Sequence, residues 1–293
     1  MLIIIEMKYL IVKGWLGFGD RMESLGMAVM FAQKFGLQIY VDWRDDGWSH
    51  GAESFYSYFS IVNTPVLNSL ADIPEDATFY PPFWKDCLDA QITPAFIEAH
   101  KNENINLGHL TQPFDADVVV FSCISNRILY ADYAFFANVV RVIDPRVRDK
   151  VRARQQRFGL KNCIGVHIRG TDRVRNAQRR DLGIQHLAIR ALPFSSKPMV
   201  VVSDDSESTE VWKRFFPQSA VLSELSTQES VKAGNHNAPK EALKSTKDDL
   251  NVDMLADFFS LASCEMVMTT YRDSRFAAHA RRLHPHVATM MSA

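Results

Sequence analysis

The chain has 293 residues, which is enough for two domains of ordinary size. Its composition, 47% hydrophobic and 23% charged, is typical of a globular protein with a substantial core, and no run approaches the roughly 18 apolar residues of a membrane-spanning helix. The net charge of −1 does not by itself indicate a class of partner, and we expect neither a membrane span nor a nucleic-acid partner.

The first half of the chain predicts a parallel βαβ unit. A glycine-rich turn, WLGFGD, follows the first apolar run, and the spacing of apolar residues predicts a helix from about Arg21 to Phe35, stopped by Gly36. Residues 45–112 are aromatic and rich in turns, without clear periodicity. Buried strands are predicted at Tyr9–Gly14, Leu37–Trp43 and Asp117–Cys123.

The second half repeats the pattern after a boundary near residues 143–160. Asp144 followed by Pro145 predicts the start of a helix, and Gly159 its end. Strands are predicted at Cys163–Ile168, Pro198–Ser203 and Met266–Thr270, and helices at Leu182–Ala191, Glu207–Phe216, Val252–Ala262 and Phe276–Leu283. Residues 223–249 are polar without an apolar face, which predicts a long loop, either a lid over a ligand or a disordered insert. The fold class is therefore α/β, with two Rossmann-like domains at residues 1–143 and 144–293.

Positive charge is concentrated in one part of the chain. Residues 141–190 contain 14 Lys and Arg against 4 Asp and Glu, a local charge of +10, so the rest of the chain carries −11. Such a field suits a phosphate-bearing ligand. For most of these arginines we favour a simpler interpretation, the solvated face of the helix that follows Asp144.

The turn after the first strand contains part of a dinucleotide-binding fingerprint. Gly17 and Gly19 match the first two glycines of GxGxxG, but Met22 stands at the third position. Asp42, at the end of the second strand, would then be the acid that binds a ribose. An NAD(P)-dependent oxidoreductase is thus one open alternative. The chain has no GxxxxGK[ST] sequence, so a P-loop is excluded.

The stretch IGVHIRGTDR runs from a buried strand directly into a charged turn. Arg169 follows the strand, at the edge where open α/β sheets bind ligands, and a guanidinium there can bind a phosphate with two hydrogen bonds. His167, two residues earlier, faces the same side. The alternative is purely structural, with Arg169 paired to Asp172 and His167 a satisfied core residue.

The same stretch resembles the H-x-R-x-x-D-[KR] motif of the α1,6-fucosyltransferases, including the rhizobial nodulation fucosyltransferases, and of the related protein O-fucosyltransferases. Three further pieces agree in order and spacing: GFGDRM, VVVSDD, and DFFSLASCEMVMTT continuing into YRDSRF. The resemblance spans most of the chain and is patchy in residues 45–140. Only the H-x-R-x-x-D motif is specific by itself.

The resemblance implies a GT-B fold, in which two Rossmann-like domains face a cleft. Residues 1–143 would be the acceptor side, with the glycine-rich loop, and residues 144–293 would bind the donor nucleotide. It implies a bacterial enzyme that transfers a sugar, fucose above all, with inversion from a GDP-sugar to a glycan or other hydroxyl acceptor. A non-catalytic nucleotide- or glycan-binding relative is the second alternative.

The resemblance also implies roles for particular residues. Arg169 would bind the donor's β-phosphate and stabilise the departing GDP, and His167 and Asp257 would face the guanine. The remaining donor contacts would come from Gly17, Phe18, Gly19, Asp204, Arg272, Asp273 and Ser274. The pair Asp204-Asp205 could bind a metal, but a helix cap plus a donor contact is the favoured interpretation.

The chain departs from the family pattern at several positions. Gly170 stands where the α1,6-enzymes have a second arginine, and Ala177 where some members have the glutamate proposed as base. The base is therefore open. We give Asp20 and Asp172 as catalytic candidates beside Arg169, with Asp181 as a further one. Arg272 and Asp273 also stand where two hydroxyl residues are usual.

Two sequence features bear on the metal requirement and on the cellular compartment. The donor half has no DxD triplet, so we expect no metal and no cofactor beyond the GDP-sugar substrate. The four cysteines are widely spaced, with no CxxC pair, which is typical of reduced thiols in a cytoplasmic protein. They are Cys87, Cys123, Cys163 and Cys264.

Overall fold

The chain forms two compact α/β units. The computed structural model describes residues 7–100, 112–122, 132–171, 177–225 and 240–292. The first unit extends to Val142 and the second comprises Ile143–Met291, so the division falls one residue before the expected boundary. Cys123, Asp172 and the middle of the polar segment, residues 226–239, lie outside the described residues.

A parallel four-stranded sheet in the order β2-β1-β5-β4 forms the first unit's core. Its strands are β1 (Tyr9–Lys13), β2 (Gln38–Asp42), β4 (Phe79–Tyr80) and β5 (Val118–Ser122). Every residue of β5 is buried, as a central parallel strand requires. A separate antiparallel pair joins β3 (Phe59–Ile61) to β6 (Val140–Val142).

The first helix, α1 (Phe18–Phe35), begins three residues before its predicted start. Gly17 is its extended N-cap residue, so the glycine-rich turn becomes the first turn of the helix. Asp20 in that turn suits the positive end of the helix dipole. The predicted stop is confirmed, since Gly36 is left-handed at φ 68° and its N–H bonds to the last carbonyls.

Residues 45–112 contain short elements that the sequence did not predict. They include β3 and β4, several 3-10 turns, and α2 (Pro94–Ala99). A further helix, α3 (Tyr133–Val139), precedes β6. Elements of two to seven residues are too short to show a hydrophobic period. Several aromatic residues of this region belong to the core, as does Trp43 just before it: Trp48, Phe55, Tyr58, Phe59 and Trp84 are all buried.

The second unit has a parallel sheet of its own, in the order β10-β7-β8-β9. The strands are β7 (Ile164–Ile168), β8 (Met199–Ser203), β9 (Ala220–Val221) and β10 (Met266–Thr269). The helices are α4 (Pro145–Phe158), α5 (Ala177–Ala191), α6 (Ser206–Lys213), α7 (Lys247–Ala262), α8 (Arg275–Leu283) and α9 (Val287–Met291). Each predicted strand of this half is present.

Helix boundaries in the second unit differ from prediction at three places. The structure begins α5 at Ala177, five residues early, and ends α6 at Lys213, three residues early. The predicted loop 223–249 ends sooner, because α7 starts at Lys247. Thr246 caps α7 by accepting a hydrogen bond from the Asp249 N–H.

Among the described residues, no helix is both long and apolar enough to cross a membrane.

Candidate active site

Three polar segments meet at one edge of the second sheet. Ile168 of β7 lies beside Ser203 of β8, and His167 lies beside Thr269 of β10. Since these strands are parallel, the residues that follow them emerge at the same edge, where open α/β sheets bind ligands. We call this the β7–β8–β10 edge; it consists of residues 167–171, 203–205 and 269–274.

Arg169 is held at this edge by both its backbone and its side chain. Its N–H donates to the Thr270 hydroxyl at 3.1 Å. Its Nε lies 3.3 Å from Oδ2 of Asp204, and 26% of the Arg169 side chain remains exposed. The structural alternative expected a pair with Asp172, which lies outside the described residues. In the described part of the chain the carboxylate beside this guanidinium is Asp204.

The acidic pair after β8 divides into two roles. Asp204 Oδ1 accepts a hydrogen bond from the Gly170 N–H at 2.7 Å, and Oδ2 accepts one from the Thr171 hydroxyl at 2.6 Å. Asp205 is the N-cap residue of α6 and accepts from the Ser208 N–H at 3.0 Å. The cap expected of this pair is thus present at Asp205, whereas Asp204 contacts the motif segment.

His167 is buried and faces two hydroxyl groups. Its Nδ1 lies 3.1 Å from Oγ1 of Thr269 and 3.3 Å from Oγ of Ser274. Its ring stacks on Phe276 at 5.2 Å. Burial, reinforced by the charges of Arg169 and Arg281, lowers the pKa of His167 to about 3. The imidazole is therefore neutral at physiological pH, and Nδ1 and Nε2 differ in hydrogen-bonding role.

The turn before α8 brings a helix N-terminus to the same edge. Ser274 is the N-cap residue, and its hydroxyl accepts from the Ala277 N–H at 3.3 Å. Arg272 and Asp273 precede it and are exposed. The N-terminus of α8 favours an anion nearby.

Asp257 lies in α7 in a different hydrogen-bonded group from His167. It accepts a hydrogen bond from the Ser223 hydroxyl, and Nη1 of Arg154 lies 3.0 Å from its Oδ1. Arg154 comes from the helix whose arginines we expected to be mostly solvated, yet it is buried. Burial raises the pKa of Asp257 to about 7, despite the neighbouring guanidinium.

The glycine-rich turn of the first unit rests on an aromatic core. Phe18 is buried and stacks on Trp48 at 6.1 Å and on Phe59 at 6.3 Å. Gly17 and Gly19 flank it along the chain, and the Asp20 N–H donates to the Gly17 carbonyl at 3.0 Å. This packing fixes the turn within its own unit.

Sequence reasoning missed Arg21, which organises this turn. It is 1% exposed, and its guanidinium donates to both carboxylate oxygens of Asp45, at 2.7 and 2.5 Å. Its Nε donates to the carbonyl of Leu16, a residue with φ of 65°. Trp43 and Trp48 contact it as cation–π partners at 5.5 and 5.4 Å. The nearby sequence WRDDGW, in which two aspartates lie between tryptophans, was the signal that could have indicated a buried partner for Arg21.

The acid needed by the dinucleotide alternative is already engaged within the protein. Asp42 Oδ2 lies 2.6 Å from Nζ of Lys13, and Oδ1 lies 2.6 Å from Nε of Arg44. Its side chain is only 1% exposed. A ribose could bind this carboxylate only by displacing one of these cations, which disfavours the oxidoreductase alternative.

The candidates for a catalytic base differ in their surroundings. Asp181 pairs with Nε of Arg180 at 3.0 Å, and Arg180 also contacts Glu207. Asp20 lies in the first turn of α1. The other candidate, Asp172, lies outside the described residues. Ala177, where relatives have glutamate, is the first residue of α5.

Within the described ranges, no group of three or more His, Cys, Asp or Glu side chains is arranged to hold a metal ion.

The structure brings four of the predicted site residues to one edge, with Arg272 and Asp273 in the adjoining turn. The four are Arg169, Asp204, His167 and Ser274. Asp257 belongs to a separate buried group, and Gly17, Phe18, Gly19 and Asp20 belong to the first unit.

Comparison with known proteins gives one consistent group of relatives. No protein-family model matches the chain. Nodulation protein Z of Sinorhizobium fredii is 22% identical, over 96% of this chain and 92% of that protein. The crystal structure of fucosyltransferase NodZ from Bradyrhizobium matches with a TM-score of 0.67 at 21% identity, over 94% of this chain and 92% of that one.

Two ligand complexes of fucosyltransferases are similar as well. NodZ alpha-1,6-fucosyltransferase soaked with GDP-fucose has a TM-score of 0.68 at 21% identity, covering 95% of this chain and 93% of that one. POFUT1 in complex with GDP has a TM-score of 0.53 at 11% identity, covering 96% of each chain. These comparisons confirm the resemblance to the fucosyltransferase superfamily and show that the chain has the GT-B fold of those proteins.

Proposed function

We propose that this chain is a glycosyltransferase that transfers fucose from GDP-fucose to a hydroxyl group of a saccharide or other acceptor. The similarity to NodZ over nearly the whole of both chains supports this proposal, and the NodZ and POFUT1 structures include complexes with GDP-fucose and GDP. The second unit would hold the donor nucleotide and the first would serve the acceptor.

The observation that carries the proposal is Arg169 at the β7–β8–β10 edge. Its backbone is anchored to Thr270, and its side chain lies partly exposed beside Asp204. Negative charge grows on the diphosphate as the bond to the anomeric carbon breaks, and a fixed guanidinium stabilises that charge more in the transition state than in the ground state. We therefore assign Arg169 to the donor's β-phosphate.

Other residues of the second unit would bind the guanine and the phosphates of the donor. The N-terminus of α8, with Ser274, Arg272 and Asp273, is suited to phosphate. Neutral His167 and the Asp257 carboxylate are proposed to face the guanine, whose N1 and N2 groups are donors. Because Asp257 is buried beside Arg154, the guanine would have to reach a carboxylate that is shielded from solvent.

The stereochemistry follows from a single displacement. The acceptor hydroxyl attacks the anomeric carbon opposite the departing GDP, so its configuration inverts. A carboxylate takes the acceptor's proton, and a weak base suffices when bond cleavage runs ahead of attack. Asp20 and Asp172 are the proposed bases; Asp181 is a weaker candidate, since Arg180 pairs with it.

One observation favours a second candidate function, a non-catalytic GDP- or glycan-binding protein. Ala177 begins α5 at the position where some relatives have a glutamate, and a methyl group cannot accept a proton. Such a protein would bind GDP through Arg169 without consuming GDP-fucose.

Turnover of GDP-fucose distinguishes the two candidates. The protein is incubated with GDP-fucose and a panel of oligosaccharides, and GDP release is measured beside GDP-mannose and UDP-galactose as control donors. We expect GDP release from GDP-fucose alone, with proton NMR showing the inverted anomer in the product. GDP binding without release or transfer would favour the non-catalytic candidate.

The other expectations stay predictions with tests of their own. If no metal is needed, adding EDTA leaves the turnover of GDP-fucose unchanged. A cytoplasmic location and the absence of a nucleic-acid partner are proposed on sequence grounds alone.

A further inference from the structure

We propose that Asp204 is a positioning residue, which fixes the direction of the Arg169 guanidinium and does not itself contact the donor. The inference rests on the proposed function, since it is there that Arg169 binds the β-phosphate. It changes the role that the family resemblance implied for Asp204, that of a direct donor contact.

Both carboxylate oxygens of Asp204 are engaged by the segment that follows β7. Oδ1 accepts from the Gly170 N–H at 2.7 Å. Oδ2 accepts from the Thr171 hydroxyl at 2.6 Å and lies 3.3 Å from Nε of Arg169. Three consecutive residues of the motif therefore converge on one carboxylate, whose side chain is 15% exposed. These three contacts occupy most of the roughly four acceptor positions of a carboxylate, which leaves little capacity for a ribose hydroxyl.

The opposite side of the motif is anchored to a different strand. The Arg169 N–H donates to the Thr270 hydroxyl at 3.1 Å, and the Thr270 N–H donates to the His167 carbonyl at 3.2 Å. The backbone of Arg169 is thus fixed from the β10 side, and its Nε from the β8 side. With both points fixed, few side-chain rotamers remain, and the outer end of the guanidinium points in a defined direction.

The close approach of these segments depends on Gly170. A Cβ at position 170 would lie 2.4 Å from Cβ of Asp205 and 2.4 Å from Oγ of Ser208. The missing side chain lets the motif backbone come within hydrogen-bond distance of Asp204. A second arginine at this position, usual in α1,6-enzymes, would not fit, so orientation of the single Arg169 matters more here.

A purely electrostatic role for Asp204 and a positioning role predict opposite changes in GDP binding when the carboxylate is removed. A carboxylate beside Arg169 repels a diphosphate, so its removal would strengthen GDP binding if only Coulomb interactions counted. If Asp204 orients Arg169, its removal frees the side chain to adopt other rotamers, and GDP binding weakens. The sign of the change therefore separates the two effects.

The experiment is a calorimetric titration of GDP and GMP, which differ by the β-phosphate, into wild type, R169A, D204N and R169A/D204N. Asn keeps the size of Asp204 and an oxygen for the Gly170 N–H but loses the charge beside Arg169. We expect D204N to weaken GDP binding about tenfold, as loss of a preorganised guanidinium would. GMP binding should change by less than about twofold, and D204N should add less than about twofold in the R169A background.

A matched control removes a carboxylate from the neighbouring helix. Glu210 of α6 is exposed and pairs weakly with Lys213 at 3.9 Å, so E210Q should leave GDP binding within about twofold of wild type. Three results would overturn the inference: equal weakening of GDP and GMP by D204N, stronger GDP binding in D204N, or an undiminished effect of D204N in the R169A background.

A second readout does not depend on nucleotide binding. The Arg169 Nε–H resonance of the ligand-free protein can be assigned in a ¹⁵N-arginine-labelled sample by its loss in R169K. We expect D204N to shift this resonance and E210Q to leave it in place. A wild type that binds neither nucleotide would refute the proposed function, whereas an Arg169 resonance unchanged in D204N would refute the inference alone.

Discussion

Gly170 lies where a glycine is required by the space around it. A Cβ there would meet atoms of Asp205 and Ser208 at 2.4 Å. We expect G170A to destabilise the protein by about 1–3 kcal/mol, as overpacked sites do, and to weaken GDP binding by displacing the motif. Gly183 in α5 provides the matched control, because no atom lies within 4 Å of a Cβ at that position.

Urea unfolding of the two variants measures the difference. G183A should be neutral or more stable by up to about 1 kcal/mol, since alanine is the better helix former. Equal stability of G170A and G183A would mean that the contact between Gly170 and α6 is looser than the structure shows.

Asp257 should give the binding of GDP a dependence on pH near neutrality. Burial raises the pKa of its carboxyl to about 7, so the acid form predominates below that pH and the carboxylate above it. Only the carboxylate can accept hydrogen bonds from both donors of the guanine edge. GDP affinity should therefore rise as the pH increases from 6 to 8, roughly one unit on either side of that pKa.

The ionisation of GDP contributes to the same profile, since a terminal phosphate also titrates near pH 6. Titrations of D257N under identical conditions separate the two contributions. We expect D257N to bind GDP more weakly and to lose the part of the rise that is centred near pH 7. A profile parallel to that of the wild type would remove Asp257 from the guanine site.

The first turn of α1 depends on the buried pair of Arg21 and Asp45. R21M would leave the Asp45 carboxylate buried without this partner, and removal of one member of a buried pair typically costs about 3–5 kcal/mol. It would also release the Leu16 carbonyl, which Arg21 holds at 3.0 Å. We expect a large loss of stability in urea unfolding.

Two further variants test this explanation. Arg152 pairs with Asp149 at the surface, where both side chains are more than 60% exposed, so R152A should cost less than about 1 kcal/mol. The double variant R21M/D45L should recover part of the stability lost in R21M, because no buried charge remains. An R21M protein as stable as R152A would show that the pair contributes little.

An element could be predicted from sequence when it was long enough to show a pattern or had capping residues at its ends. Strands β1, β2, β5, β7, β8 and β10 are four or five residues long and mostly buried, and each was predicted. Helix α4 has Asp144, Pro145 and Gly159 at its ends, and its bounds are confirmed. The short β3, β4, β6 and β9 depend on tertiary pairing, which no local pattern reveals.

The start of α5 shows a different limit. Its first turn, AQRRD, has no apolar residue larger than alanine, so the hydrophobic period begins only at Leu182. In the structure the helix extends back to Ala177, and Arg180 in its first turn pairs with Asp205, the N-cap residue of α6, and with Glu207 of α6. These ion pairs join residues 25 and 27 positions apart, and such long-range contacts are outside the reach of periodicity.

Each unit carries its own parallel sheet, and we assign the nucleotide to the second. Hydrogen exchange followed by mass spectrometry tests this assignment directly. GDP should slow exchange in peptides covering the β7–β8–β10 edge and the N-terminus of α8. Protection confined to the glycine-rich turn that precedes α1 would instead assign the nucleotide to the first unit, as the dinucleotide alternative requires.

The residues that the family resemblance implied as donor contacts were partly brought together by the fold. Arg169, His167 and Ser274 lie at one edge because β7 and β10 are adjacent parallel strands whose carboxyl ends lie together. The engagement of Asp204 with the motif and the burial of Asp257 beside Arg154 depend on side-chain packing between distant segments. For the same reason, the pairing of Asp42 with Lys13 and Arg44 emerged only from the structure.

The central claim is that Arg169 binds the diphosphate of a GDP-sugar, and calorimetric titration tests it most directly. GDP, UDP, ADP and NADH are titrated into wild type and R169A, with R152A as the arginine control. We predict that GDP alone binds tightly, that R169A loses this binding, and that R152A keeps it. Binding of NADH but not GDP, unchanged in R169A, would contradict the account.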